Sequence, residues 1–297
     1  MDLQNSFSET LFACPIVRLN GYAARHGLSG QLYAYCNFAG VTGTGNDALA
    51  VGMLTLAEQK GLLAKGQGVV EASDGSFAVS LAAACGALGH ALTLVVSADL
   101  PFARRGLLTE LGARLVAAPA QRDAMHKAAQ QLAQREGLYY VNYFENDLNP
   151  EFHRLVTGPA IAKRMAGTLD AVVVGVGSGG TVSGVGEHIK AWMPDVKMIA
   201  VEPYESMAIS GGIIGRHAIA GLGAGFVPEN YNPYIVDKVM AVSSANAAAT
   251  AKELLQKDAL PAGTACGAVL CAAKELMRAM PQLQHVLCIF AARSFTE

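Results

Sequence analysis

Residues able to do chemistry gather at a few places in this 297-residue chain. The strongest is VVVGVGSGGTVSG, residues 172–184, where an apolar run stops at glycines and a helical pattern starts at once. Glycines let successive backbone N–H groups converge, and a helix N-terminus adds its partial positive charge. Gly177, Ser178, Gly179, Gly180 and Thr181 therefore read as a cradle for a phosphate, with the two hydroxyls as further donors. Glycines that only bring a strand and a helix close together would leave the same pattern. No Gly-Lys-Ser/Thr follows, so this is not a Walker-type nucleotide loop. Three more groups stand in short loops: Asp47 in TGTGND (42–47), Asp74 in EASDGSFAV (71–79) and Cys266 in GTACGA (263–268). A carboxylate can act as a general base, and a thiolate near positive charge as a nucleophile. Each also has a plainer reading. Asp47 suits a helix N-terminus, Asp74 a solvated loop, and Cys266 close packing.

These groups need elements to hold them. Continuous apolar runs such as GVVEAS (68–73), ALTLVVSA (91–98) and LDAVVVGVG (169–177) alternate with helical patterns of ten to fifteen residues. LYYVNYF (138–144) reads as a further strand. Runs that are apolar throughout predict parallel sheets covered on both faces, so the fold class is α/β.

Composition removes several function classes. Apolar residues make up 52% and charged ones 15%, yet no run reaches the ~20 residues a spanning helix needs. The opening MDLQNSFSETLFACP lacks a basic segment followed by an apolar one, so no secretory signal is expected. A net charge of −2 without a basic cluster argues against nucleic acid or an acidic membrane surface as partner. Six cysteines lie apart among apolar neighbours and seven histidines are dispersed, which fits a reducing, cytoplasmic setting and no metal site.

At several separate motifs the chain resembles the cysteine synthase family, the fold-type II pyridoxal-phosphate enzymes of the tryptophan synthase β superfamily. CPIVRLN (14–20) is similar to the family's T-P-L-V-R-L, and FARRGLLTELGARLV (102–116) to its E-R-R-x-x-L-x-x-x-G-A-x-x-V. YFENDLNPEFHRLVTGPAI (143–161), AVEPYESMAISGG (200–212) and GLGAGFVPENYN (221–232, with Gly223) have counterparts in the same order. The loop at 175–181 resembles G-T-G-T-G-G-T, which holds the cofactor's phosphate. The resemblance implies two domains, each with a mainly parallel sheet flanked by helices. Residues 1–40 plus 145–297 would form the larger, with the phosphate loop, and 41–144 the smaller, mobile one. It also implies a dimer, with itself or with a related enzyme.

The departures fall on the stretches that carry the family's chemistry. Its lysine loop reads G-G-S-V-K-D-R, and the matching residues Gly43-Thr44-Gly45-Asn46-Asp47-Ala48 put Asn46 in the lysine's place. An amide nitrogen has its lone pair delocalised, so it can neither form a Schiff base nor shuttle a proton. The family's T-S-G-N-T-G loop, which takes the substrate carboxylate, is matched by Ser73, Asp74, Gly75, Ser76 and Phe77. Asp74 adds negative charge there, and like charges at short range disfavour a carboxylate ligand. Tyr143 stands where the family has a glutamine, and Ala265 where a serine hydroxyl meets the pyridine nitrogen. The closing G-E-R-Y has become AARSFTE.

Three functions remain open on this reading. One is a pseudoenzyme that keeps the loop to bind phosphate, a phosphorylated metabolite or non-covalent pyridoxal phosphate, with no cofactor covalently attached. Another is a pyridoxal-phosphate-independent enzyme that uses Asp47, Asp74, Ser76, Tyr143 and Cys266 in a reshaped pocket. The third is ordinary β-replacement or β-elimination on a serine- or cysteine-type amino acid, rescued by a lysine from elsewhere.

Overall fold

The computed structural model describes residues 11–165 and 167–293. The reading of residues 1–10 and the Ser294–Glu297 part of AARSFTE lie outside them. Ten strands run in chain order: β1 (Ile16–Arg18), β2 (Gln31–Cys36), β3 (Val69–Ala72), β4 (Leu92–Ser97), β5 (Arg114–Ala118), β6 (Tyr139–Tyr140), β7 (Ala171–Gly175), β8 (Lys197–Pro203), β9 (Lys238–Val242) and β10 (His285–Phe290). The helices are α1 (Asn20–Arg25), α2 (Asn46–Gln59), α3 (Ser76–Leu88), α4 (Phe102–Glu110), α5 (Arg122–Glu136), α6 (Leu148–Phe152), α7 (Gly158–Met165), α8 (Gly180–Trp192), α9 (Ser244–Asp258) and α10 (Thr264–Ala279). The architecture is α/β, in two compact units. One comprises Met1–Ala39, Gly43–Gly45 and Asn149–Glu297, the other Gly40–Thr42 and Asn46–Leu148.

The first unit holds a six-stranded sheet in the order β1-β2-β10-β7-β8-β9. Every pairing is parallel except β1 with β2. The central strand β7 is apolar at every position because both faces are covered. Val173, Ile199 and Phe290 share one core with α9 and α10, while Val172, Val174 and Met198 share another with α7 and α8. Gly43–Gly45 belong to this unit through the chain's last described residues. Gly45 donates its N–H to the Ala291 carbonyl at 2.8 Å, and Arg293 donates to Gly43 at 2.8 Å.

The second unit holds a wholly parallel sheet, β5-β4-β3-β6. Met125, Ala129 and Leu132 of α5 pack on Val70 and Val95 of that sheet. Helix α3 is apolar nearly all round and is buried accordingly. It stops at Gly89, whose left-handed φ of 80° provides a C-cap. LYYVNYF departs from the strand expectation. Only Tyr139–Tyr140 pair as a strand, because Asn142 turns into the left-handed region at φ 52° and starts a tight turn. Its carbonyl accepts from the N–H groups of Glu145 and Asn146, and Tyr143 leaves the sheet.

Candidate functional site

In the first unit, β7 runs through residues 176–179 into α8. Gly179 caps that helix at φ 85°, a conformation that glycine adopts without strain. The loop is tightly enclosed. A Cβ at Gly177 would lie 2.3 Å from the Gly221 carbonyl oxygen, and one at Gly180 1.8 Å from Asn149 Oδ1. Asn149 Nδ2 also donates to Ser178 Oγ at 3.1 Å. Gly223, itself at φ 63°, donates its N–H to the Val176 carbonyl at 3.0 Å. The first turn of any helix leaves N–H groups without intrahelical partners, so the start of α8 carries donors and partial positive charge.

Thr181 is oriented by a buried relay. Helix α6 continues through a π-helical turn, His153–Thr157, before α7. His153 Nδ1 lies 2.9 Å from Thr157 Oγ1, and Nε2 lies 3.1 Å from Thr181 Oγ1. Burial pushes the imidazole down to about 3, so it is neutral at physiological pH. A neutral ring has one donor and one acceptor nitrogen, so one threonine hydroxyl accepts from it and the other donates.

In the second unit, α2 starts at Asn46 and α3 at Ser76, after Gly75 in extended backbone. The two first residues meet: Asn46 Nδ2 donates to Ser76 Oγ at 2.9 Å. Tyr143 closes the group, its hydroxyl donating to Asn46 Oδ1 at 3.2 Å. Phe77 is buried and stacks on the Tyr143 ring, centroids 4.0 Å apart at 26°. Both polar ends of the Asn46 amide are thus engaged by neighbours, and an aromatic pair fills the space beside them. Ser73 and Asp74 are half-buried at the end of β3.

Asp47 is buried and fully committed. Ser80 Oγ donates to Oδ1 at 2.8 Å, while the Thr42 N–H and hydroxyl donate to Oδ2 at 3.0 and 2.9 Å. A carboxylate so held ties the loop before α2 to α3. Cys266 is 1% exposed, and its thiol donates to the Ala292 carbonyl at 3.0 Å. Ala265, buried beside it at the start of α10, presents a methyl group and no hydroxyl. The structure therefore groups Asn46, Ser76, Phe77 and Tyr143 in one unit and Gly177 to Thr181 with Gly223 in the other. Sequence reasoning missed Asn149 and His153 as loop supports, although both sit in the quoted NPEFH motif. Among the described residues no cluster of three or more His, Cys, Asp or Glu could hold a metal ion. No described helix is long and apolar enough to cross a membrane.

Comparison with known proteins follows the same lines. A family model described as pyridoxal-phosphate dependent enzyme matches residues 8–292. The cysteine synthase of Staphylococcus aureus (strain Mu50 / ATCC 700699) is 33% identical over 273 residues, which cover 91% of this chain and 87% of that protein. The crystal structure of O-ureido-L-serine synthase superposes with a TM-score of 0.91 at 29% identity, covering 99% of this chain and 93% of its own. A lysine-to-alanine mutant of that synthase, solved with O-ureido-L-serine bound, gives 0.88 at 29% identity, covering 99% and 92%.

Proposed function

The chain belongs to the pyridoxal-phosphate-dependent enzyme family, in its fold-type II, cysteine synthase-like branch, and from that premise we propose that it is a non-covalent binder of a phosphate-bearing ligand. The observation that carries this reading is the Asn46 amide, engaged by Ser76 and Tyr143, in a loop whose motif resemblance matches residue 46 with the family's lysine. The phosphate end of pyridoxal phosphate fits Gly177 to Thr181, where glycines are enforced by neighbouring backbone and side chains. The other two groups do not fit it, since Asn46 has no nucleophilic nitrogen and Ala265 no hydroxyl for a ring nitrogen. Phosphate, a phosphorylated metabolite and unattached pyridoxal phosphate all satisfy the loop.

Rescue by Lys60 or Lys65 is unfavourable. Lys60 follows the end of α2 and lies about 21 Å of helix rise from Asn46. Lys65 is exposed and paired with Glu58 at 2.9 Å. An enzyme of other chemistry is the less favoured reading, because Asp47 and Cys266 each have a structural partner. The relatives' names still speak for amino-acid chemistry, and a lysine-to-alanine relative holds its amino acid without that lysine. Asp74 sets this chain apart, by placing negative charge at the start of α3 where an α-carboxylate would dock. We infer a dimer, with itself or with a related chain, as the working assembly.

Thermal denaturation with added ligand tests the reading. A ligand that binds only the folded protein stabilises it by about 2.7 kcal/mol at 100 times its dissociation constant. Inorganic phosphate and pyridoxal phosphate are expected to raise Tm saturably, whereas serine and O-acetylserine leave it unchanged. A rise with serine or O-acetylserine and none with phosphate would overturn the proposal.

A further inference from the structure

The relay behind the glycine loop has a direction, and the burial of its far end fixes it. His153 and Thr157 share one π-helical turn, and each is 2% exposed. Thr157 Oγ1 has one hydrogen-bond partner among the described residues, His153 Nδ1 at 2.9 Å. A buried hydroxyl whose proton meets no acceptor is costly, so Thr157 donates and Nδ1 accepts. On a neutral ring the proton then sits on Nε2, 3.1 Å from Thr181 Oγ1. Thr181 accepts that N–H and keeps its own proton to give elsewhere. The opposite tautomer would consume the Thr181 proton on the ring and leave that hydroxyl only lone pairs to offer. Close packing holds the ring in reach. Gly184 lies three residues after Thr181, on the same side of α8. A Cβ there would stand 2.7 Å from His153 Cβ and 2.0 Å from the Pro150 carbonyl oxygen. Any larger residue at 184 would push the helix off the histidine.

We propose that His153 is a positioning residue of the anion loop: as the Nε2–H tautomer imposed by Thr157, it holds the Thr181 hydroxyl as a hydrogen-bond donor for an incoming oxyanion. The order of protons is Thr157 O–H to Nδ1, Nε2–H to Thr181 Oγ1, and Thr181 O–H to the ligand. Only the last link rests on the phosphate reading. Phosphate oxygens are acceptors, so a threonine fixed as donor serves them and one fixed as acceptor does not. Hydrogen bonds in line polarise one another, so a bound oxyanion strengthens the two bonds behind it. Burial supports the arrangement by keeping the ring neutral, since a protonated imidazole would leave the Thr157 proton without its acceptor. Thr181 itself is half-buried, which leaves its proton a path to a ligand.

The test starts without ligand, so its failure is separable from failure of the phosphate reading. In protein carrying nitrogen-15 histidine, the bare and protonated nitrogens of a neutral imidazole give well-separated NMR signals. The His153 pair is identified by its loss in His153→Gln, or by its displacement in Thr181→Val if His153→Gln does not fold. The wild type is expected to show protonated Nε2 and bare Nδ1. Inorganic phosphate is expected to keep that tautomer and to move the Nε2 proton signal, and Thr181→Val to abolish the movement. His153→Leu is expected to raise the phosphate dissociation constant about fivefold, the worth of one ordinary hydrogen bond. His153→Gln, whose amide N–H reaches as far as Nε2, is expected to stay close to the wild type. A packing role alone would not favour glutamine over leucine. A wild-type ring protonated at Nδ1, or a His153→Leu protein that binds phosphate as the wild type does, overturns the proposal. An Nε2–H ring in a protein that binds no phosphate upholds the direction of the relay and overturns the ligand reading instead.

Discussion

Replacing Gly177 by alanine is expected to abolish phosphate-dependent stabilisation and to lower stability by about 1–3 kcal/mol. The added carbon would stand 2.3 Å from the Gly221 carbonyl oxygen, which is backbone and cannot swing aside as a long side chain would. Either the loop or the 221 segment must shift. A shift of a few tenths of an ångström re-aims N–H groups whose use depends on convergence. Gly86→Ala provides the control. Gly86 lies inside α3 with open space around its Cβ position, so helix propensity should add about 0.5–1 kcal/mol. Its phosphate response should match the wild type. Loss of the response in both variants, or retention in Gly177→Ala, would separate phosphate binding from the glycine loop.

Glu71→Gln is expected to flatten a fall in stability that the wild type shows above neutral pH. Glu71 is buried in β3, its carboxyl's unfolded value is 4.5, and burial raises the folded value to about 8. A raised acid holds its proton more tightly when folded, so its stabilising contribution is complete below the unfolded value and is lost as pH climbs through the folded one. Between those limits stability falls by about 1.4 kcal/mol per pH unit. Other groups leave a clean window. His153 and His188 are lowered by burial, so their effect is exhausted once pH exceeds the ordinary histidine value of 6.5. Buried cysteines such as Cys85 and Cys288 begin to matter only near their ordinary value of 9.0. From pH 6.5 to 8 the wild type should therefore lose about 2 kcal/mol that Glu71→Gln keeps. Denaturant unfolding at both pH values measures it, and equal slopes in the two proteins would refute the assignment.

Much of this organisation was legible in the residues themselves. The apolar runs at 69–72, 92–97 and 171–175 are strands because only a doubly covered parallel sheet accommodates such continuity. The glycine loop at 175–181 announced itself by following one of them and opening a helix. Asn46 was visible by its place in a motif. Its two partners were not, since Ser76 lies 30 residues on and Tyr143 97. The commitment of Asp47 to Thr42 and Ser80, and of the Cys266 thiol to a carbonyl 26 residues away, likewise depends on tertiary approach that no local pattern encodes. LYYVNYF looked like a longer strand than β6. There the turn at Asn142 decided the outcome, because a left-handed asparagine leaves no trace in hydrophobic periodicity.

The central claim is that the family's amine has been replaced by an amide while the phosphate loop survives. Incubation with pyridoxal phosphate, reduction with borohydride and peptide mass analysis address it in one experiment. The expected result is no visible absorption band from a bound cofactor and only scattered, substoichiometric labelling of surface lysines, in a protein whose Tm the same ligand raises. Stoichiometric labelling of a single lysine, with a matching visible band, would contradict it.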